Sequence, residues 1–227
     1  MTLAEQEQAT PIHRQQQLGI RMLLVCLLLT FTSLSHAGNQ DPLDSREYAQ
    51  IQALIPPITN QELYASPTQE LLLIERDRST DKAPSPKRLA NIFVYDYAHN
   101  ETVIQRVDVS TNKVVFTVRK QHVQLPLTKN EIRRATDLIF SDPETLESVK
   151  TEYQRITKQT LSTPGQLQTK AFVFTADTLP EQLNAASQQC GLHRCAQVLL
   201  YTHDSVVFET SPIVNLSVGL VTQVIGF

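Results

Sequence analysis

Residues 88–121, RLANIFVYDYAHNETVIQRVDVSTNKVVFTVRKQ, decide the fold, because they read as consecutive strands whose pattern returns near the C-terminus. The segments ANIFVY at 90–95 and VDVS at 107–110 return as AQVLLY at 196–201 and VNLS at 214–217. From the end of the first segment to the start of the second, the distance is 12 positions in one copy and 13 in the other. This pattern predicts that one strand-turn-strand unit occurs twice in the chain.

Three antiparallel strands, at 88–97, 102–110 and 113–121, are predicted in the first copy, because turn-forming residues separate them. Apolar residues alternate with polar ones along the last two strands, which predicts one face for a core and one for water or a partner. The alternating residues are Val107, Val109, Val114, Phe116 and Val118. At the end of the first strand, we expect one of Tyr95 and Tyr97 to point inward and the other outward.

Two helix starts share one pattern, in which a proline and a leucine precede a capping residue and a glutamate follows three positions later. Asp44 and Glu47 form this pattern in the first copy, and Thr128 and Glu131 form it in the second. These starts lie 84 positions apart and the repeated strands 106 apart, so the second unit has 22 additional residues. An extra helix that begins at a proline accounts for them. The predicted helices are 44–55, 128–140 and 143–157.

Each unit also has an apolar segment between its helix and its repeated strands, at 70–75 and 168–175, which we predict to be its first strand. The predicted fold class is therefore α+β, with two tandem modules. Each has a helix packed on a four-stranded antiparallel sheet, and the second has the extra helix. The predicted modules are 38–122 and 123–227.

The N-terminus has the order of a secretory signal peptide. Arg14 and Arg21 precede the apolar run 22–29, and the small-x-small sequence Ser-His-Ala follows that run. The run is shorter than the roughly 20 apolar residues of a spanning helix, so a cleaved signal is favoured over a membrane anchor. We predict cleavage after Ala37, which defines 1–37 as the signal peptide and gives a periplasmic or secreted protein.

Export affects the interpretation of the cysteines, because oxidising compartments favour paired thiols. Cys190 and Cys195 are the two cysteines of the predicted mature chain, and we predict a disulfide between them. The alternative is a metal site with sulfur and imidazole ligands. Its ligands would be Cys190, His193, Cys195 and His203. Their spacing is not that of a standard zinc motif, so the disulfide is favoured.

Several short motifs resemble the two small N-terminal domains of copper amine oxidases, the second and third cystatin-like domains of that family. The motifs are Asp41-Pro42-Leu43 before a helix, the strand 90–97 leading to Val107-Asp108-Val109, Gln124-Leu125-Pro126-Leu127 before a helix, and Ser141-Asp142-Pro143. The resemblance covers residues 41–224. It implies that each module is a cystatin-like unit, with one helix against a four-stranded antiparallel sheet.

The resemblance implies no catalytic site in this sequence. In that family, the chemistry lies in a separate β-sandwich domain, where the tyrosine of an Asn-Tyr motif becomes a quinone cofactor and three histidines, two of them as His-x-His, bind copper. This sequence has neither an Asn-Tyr pair nor a His-x-His motif. No catalytic or cofactor-binding residue is therefore carried over, and we expect no cofactor.

We therefore predict an exported, non-catalytic binding or assembly protein. Its net charge of −3 provides no basic surface for nucleic acid or, after signal cleavage, for a membrane. The expected partner is a protein or a second copy, docked on a free sheet face or on the edges beside the loops 76–87 and 190–195. Two alternatives stay open, an accessory copper- or metal-handling protein and, by shape alone, an inhibitor of extracellular peptidases. Sequons at Asn100 and Asn215 matter only in a glycosylating host.

Overall fold

The computed structural model describes residues 40–55, 68–178 and 182–226. All of them belong to one compact unit. The predicted signal peptide and its cleavage site lie outside these ranges. Among the described residues, no helix is long and apolar enough to cross a membrane.

Two four-stranded antiparallel sheets and three α-helices are present in the described chain, which confirms the predicted α+β class of two tandem modules. The first module contains α1 (Ser45–Gln52), β1 (Gln69–Asp77), β2 (Leu89–Asp96), β3 (Glu101–Asp108) and β4 (Lys113–Lys120). The second contains α2 (Lys129–Ser141), α3 (Pro143–Thr157), β5 (Gln168–Phe174), β6 (Cys195–Tyr201), β7 (Ser211–Asn215) and β8 (Leu220–Ile225). Within each sheet the strands follow one another in chain order.

Both predicted helix starts form reciprocal capping boxes. In α1, the Asp44 carboxylate accepts the backbone N–H of Glu47, and the Glu47 carboxylate accepts the N–H of Asp44. In α2, Thr128 and Glu131 make the same pair of bonds. α1 ends at Gln52, earlier than predicted, where the backbone bonds tighten to the i→i−3 pattern.

The two sheets repeat the same strand register. Ala90 of β2 lies opposite Val107 of β3, and Ala196 of β6 lies opposite Val214 of β7. A register shift follows at the same place in both, next to Val107 in the first sheet and next to Val214 in the second. The repeated segments therefore occupy equivalent strands, and the extra residue between them lies in the longer β6–β7 connection.

Each module has its own core, but the second core extends into the first sheet. In the first module, Ile51 of α1 is buried against Ile74 and the helix-facing residues of β2. The second core includes Ile139 of α2 together with Tyr95 and Tyr97, which are only 1% and 6% exposed. The expectation that one tyrosine points outward is therefore wrong, because the second module covers the end of β2.

In β4, the apolar residues that were predicted to face a core are exposed. Val114 and Phe116 keep 41% and 53% of their surface exposed, whereas both were expected to face a core. β4 is one of the two edge strands of its sheet, and the register shift leaves Val115 with no residue paired opposite it. This extra residue turns Val114 and Phe116 to opposite faces, which breaks the alternation seen in the sequence.

Candidate functional site

An arginine just before the second strand of each module holds the start of that module's helix. In the first module, Arg88 Nε and Nη2 donate to the two carboxylate oxygens of Glu47 at 2.5 and 2.6 Å. Nη1 and Nη2 also donate to the backbone carbonyls of Asp41 and Pro42, both at 3.0 Å. Because Glu47 is also the capping-box glutamate, one side chain caps α1 and binds the arginine. We call this arrangement an arginine clasp.

The second module contains an equivalent clasp. Arg194 Nε and Nη2 donate to Glu131 at 2.6 and 2.9 Å, and its Nη1 and Nη2 donate to the carbonyls of Leu125 and Pro126 at 2.7 and 3.1 Å. The two arginines lie 106 positions apart and the two glutamates 84 apart, the same offsets as the repeated strands and helix starts. We did not predict the clasps, although each arginine stands two positions before the repeated alanine.

The second clasp lies where the two modules meet. The Arg194 and Glu131 side chains are both 0% exposed, compared with 9% and 16% for the first clasp. The Tyr97 hydroxyl donates to Glu131 Oε1 at 2.7 Å, and the Tyr95 ring faces the Arg194 guanidinium at 5.6 Å. The second clasp therefore joins the two modules as well as holding its own helix.

The surroundings of the second clasp keep Glu131 and Arg194 charged. Burial alone would raise the pKa of Glu131, but the hydrogen bonds and positive charge of Arg194 outweigh burial and hold that pKa below its usual range. Burial, and next the negative charge of Glu131, raise the pKa of Tyr97, so its hydroxyl keeps the proton that it donates. The second clasp is thus an ion pair between Arg194 and Glu131, with the neutral Tyr97 hydroxyl as an additional hydrogen-bond donor.

Another carboxylate, Glu70 of β1, lies against the same junction. Glu70 is 6% exposed and accepts a hydrogen bond from Thr128 Oγ1 at 2.7 Å. Burial raises the pKa of Glu70, and the bond from Thr128 offsets this only in part. A carboxylate with a raised pKa contributes stability that is lost as the pH rises, whereas one with a lowered pKa, such as Glu131, contributes stability that is lost as the pH falls.

We expect Glu70→Gln to increase the free energy of unfolding at neutral pH, because glutamine keeps an oxygen for Thr128 and removes a buried charge. The gain should shrink as the pH is lowered towards the ordinary glutamate range, where the wild-type carboxylate takes up a proton. Urea unfolding at several pH values measures both effects. Glu75→Gln, at an exposed position of the same strand, is the matched control. A gain that does not depend on pH would contradict this prediction.

The predicted disulfide between Cys190 and Cys195 is present. Both sulfurs are therefore bonded to each other and neither is a thiolate. His193 lies beside the disulfide and accepts a hydrogen bond at Nδ1 from the Asn215 side chain at 3.0 Å. His203 follows the far end of β6, about 20 Å of strand away from Cys195. The structure thus does not bring together the four side chains that were considered as metal ligands.

The loop that this disulfide closes packs against the first module. The Tyr95 hydroxyl donates to the Leu192 carbonyl at 3.1 Å, and Gln124 Nε2 donates to the Gly191 carbonyl at 3.0 Å. The disulfide itself is buried, since Cys190 and Cys195 are 4% and 0% exposed. These groups of the loop already serve the junction, and docking of a partner beside the loop stays a prediction.

A group of potential metal ligands that the sequence did not single out lies at the β2–β3 turn. Asp96, His99 and Glu101 have ligand atoms within 4.8 Å of one another. Arg119 Nη1 donates to both carboxylates, and His99 Nδ1 lies 3.0 Å from Asp96 Oδ2. Because the guanidinium already balances the carboxylates, we interpret the group as an ion-pair network that ties β2, β3 and β4 together.

The two sequons differ in accessibility. Asn215 is 2% exposed, and its Oδ1 accepts the backbone N–H groups of Ser217 and Val218. Asn100 lies in the β2–β3 turn with a left-handed backbone, at a φ of 54°, and is half-buried. A glycan on Asn215 is incompatible with the folded chain, which leaves Asn100 as the sequon that a glycosylating host could use.

The outer edge of β4 is the candidate docking surface. Val114, Val115 and Phe116 are 41%, 56% and 53% exposed, and they follow one another along the strand. Within the described chain, no strand pairs with the outer side of β4. A shallow groove beside this edge is lined by Lys87, Leu89 and Phe116, next to the loop that follows β1. The surface lies beside the loop 76–87, where a docking edge was predicted, and docking there stays a prediction.

No family model and no curated protein matches this chain. Among solved structures, the chain is similar to a copper-containing benzylamine oxidase from Hansenula polymorpha, with a TM-score of 0.53 and 12% sequence identity. The match covers 84% of this chain, which spans 30% of the length of that oxidase. The predicted resemblance to part of a copper amine oxidase is confirmed, and at this identity the likeness concerns the fold alone.

Proposed function

We propose that this chain is an exported, non-catalytic binding or assembly protein that docks its partner along β4. Its fold is similar to part of a copper amine oxidase. Export is supported by the disulfide, because such bonds persist in oxidising compartments, and by the signal-like N-terminus. The proposal assigns the chain a surface for recognition and no reaction.

The observation that carries the proposal is the exposed apolar edge of β4. An edge strand offers backbone N–H and C=O groups to a partner strand, whose side chains can pack on the exposed apolar ones. Edge strands are commonly protected from such pairing by charges. On β4 the charged residues are at the two ends, Lys113 at one and Arg119 and Lys120 at the other, and residues 114–118 between them carry no charge. This uncharged segment is long enough to pair as a strand.

Two clusters of polar groups in the described chain support a structural role. The Arg194 guanidinium is bonded to Glu131 and to two backbone carbonyls, and the carboxylates near His99 are balanced by Arg119. The sequence also lacks the Asn-Tyr and His-x-His motifs of the oxidase family that it resembles. A buried junction between two sheets suits a protein that presents a fixed surface.

Affinity capture with the tagged chain, from the exported fraction of its native host, tests the proposal. We expect the wild type to retain a partner, a second copy included, and Phe116→Lys to lose it, because a charge then interrupts the apolar edge. Phe172→Lys is the matched control, since Phe172 is 56% exposed on the edge strand β5 of the other sheet. Retention that Phe116→Lys leaves unchanged would refute docking at β4. Peroxide release with primary amines after copper loading would refute the non-catalytic role.

A further inference from the structure

One face of β4 places a basic residue on each side of its apolar ones. Alternate residues of a strand share a face of the sheet, and residues directly opposite each other in paired strands do so too. The alternate residues of β3 on this face are Thr102, Ile104, Arg106 and Asp108. Their partners on β4, with the bulge at Val115 included, are Lys120, Val118, Phe116 and Lys113. The order along this face of the edge strand is therefore basic, apolar, apolar, basic.

The lysines on this face are available to a partner. Among the described residues, neither Lys113 nor Lys120 takes part in an ion pair. Lys87 is exposed and lines the groove beside Phe116, so it adds a positive charge next to the same edge. The edge is therefore locally basic, although the whole chain has a net charge of −3.

The nearby carboxylates already have partners within the chain. Asp108 accepts two backbone N–H groups of the β3–β4 turn, and Asp77 lies 2.6 Å from Arg106 Nε. The two carboxylates that bind Arg119 lie on the other face of the sheet. An acidic group brought by a partner would therefore meet lysines that no described carboxylate holds.

We propose that the occupant of β4 is an extended segment of another protein, in which acidic residues flank a short apolar stretch. This inference rests on the proposed function, because it names the chemistry of the partner that docks on β4. The acidic residues lie near Lys113 and Lys120, and the apolar stretch packs on Phe116 and Val118. Because both ends of β4 are basic, the same pattern follows for parallel and for antiparallel pairing.

The apolar stretch extends a row of side chains that the sheet already contains. Phe93, Ile104 and Val118 lie side by side on β2, β3 and β4, and all three are half-buried. A partner residue next to Val118 continues this row and covers part of its open surface. Outward-facing backbone groups between Phe116 and Lys120, where the register is regular, supply hydrogen bonds to the partner.

The same charges disfavour a second β4 strand as the occupant. All charged residues of β4 are basic, with Lys113 at one end and Arg119 and Lys120 at the other. Two such strands side by side bring like charges together, which is destabilising. An acidic segment instead makes attractive contacts at both ends, and salt weakens these contacts because it screens exposed charges.

Selection from a random peptide library displayed on phage tests which sequences β4 prefers. Peptides are selected on the immobilised wild-type chain, and those that also bind Phe116→Lys are removed. We expect the remaining peptides to carry Asp or Glu on both sides of an apolar stretch. Remaining peptides that are uncharged or basic overturn the acidic partner and leave docking at β4 in place. If no peptide depends on Phe116, both proposals fail.

Charge reversal measures the contribution of the two lysines. For a synthetic peptide from this selection, Lys113→Glu/Lys120→Glu should raise the dissociation constant in fluorescence anisotropy by about 10-fold or more. Lys150→Glu/Lys170→Glu is the matched control, because both lysines are exposed outside the first sheet and the change in net charge is the same. Added salt should narrow the difference between the wild type and the β4 variant. Equal dissociation constants for the two double variants overturn the proposal.

Discussion

Glu131→Gln should lower the free energy of unfolding by about 3–5 kcal/mol, because it leaves the buried Arg194 without its counter-charge. Both side chains are 0% exposed, so water cannot solvate the Arg194 guanidinium after it loses the Glu131 carboxylate. Tyr97, which donates to the Glu131 carboxylate, would then share a neutral amide with the arginine. Urea unfolding followed by circular dichroism measures the loss.

The first clasp provides a matched control. Glu47→Gln removes the same bidentate contact from the same capping position, but water reaches this pair, since Arg88 is 9% and Glu47 16% exposed, so we expect a smaller loss of about 1–3 kcal/mol. The double variant Glu131→Gln/Arg194→Met should recover part of the loss, because no unpaired charge stays buried. Equal losses at the two clasps would show that burial at the junction does not set the cost.

Tyr97→Ala should cost about 3–5 kcal/mol and should also separate the unfolding of the two modules. Tyr97 belongs to the second core, donates to Glu131, and stacks under the Arg134 guanidinium at 4.7 Å. Its removal leaves a cavity between the modules and takes away one of the contacts that couple them. In scanning calorimetry, the wild type should unfold in one transition and the variant in two.

Two further variants test whether that result depends on the position of Tyr97 and on its hydroxyl group. Tyr201→Ala removes a partly exposed tyrosine of β6, so it should preserve a single transition. Tyr97→Phe removes only the hydroxyl and should cost about 1–3 kcal/mol, since the Glu131 oxygen loses a buried donor. Two transitions in the wild type itself would mean that the junction does not couple the modules.

Local signals in the sequence were enough to predict where the three helices begin and which strands repeat. The capping pairs of Asp44 with Glu47 and of Thr128 with Glu131 begin the two helices as predicted, because capping depends on residues three positions apart. The extra helix spans Pro143–Thr157, as its proline and apolar stripe indicated. The repeated strand segments pair in equivalent registers, since side-chain alternation selects the face and hence the register.

The candidate sites depend on contacts that such signals do not encode. The second clasp joins residues 63 positions apart, and its burial depends on how the modules pack. Tyr97 looked like an ordinary strand end because its partner Glu131 belongs to the other module. Phe116 is exposed because a bulge next to it turns its side chain to the other face of the sheet. The alternation of apolar and polar residues in the sequence does not reveal such a bulge.

Hydrogen exchange of the β4 amides tests the central claim, that β4 is the docking strand, most directly. If a partner strand pairs with β4, the amides from Val114 to Lys120 that face outward should exchange slowly in the native wild-type protein and quickly in Phe116→Lys. The amides of β8, an edge strand of the other sheet, should exchange alike in both proteins. Exchange of β4 that is equally fast in the wild type and in Phe116→Lys would contradict the claim.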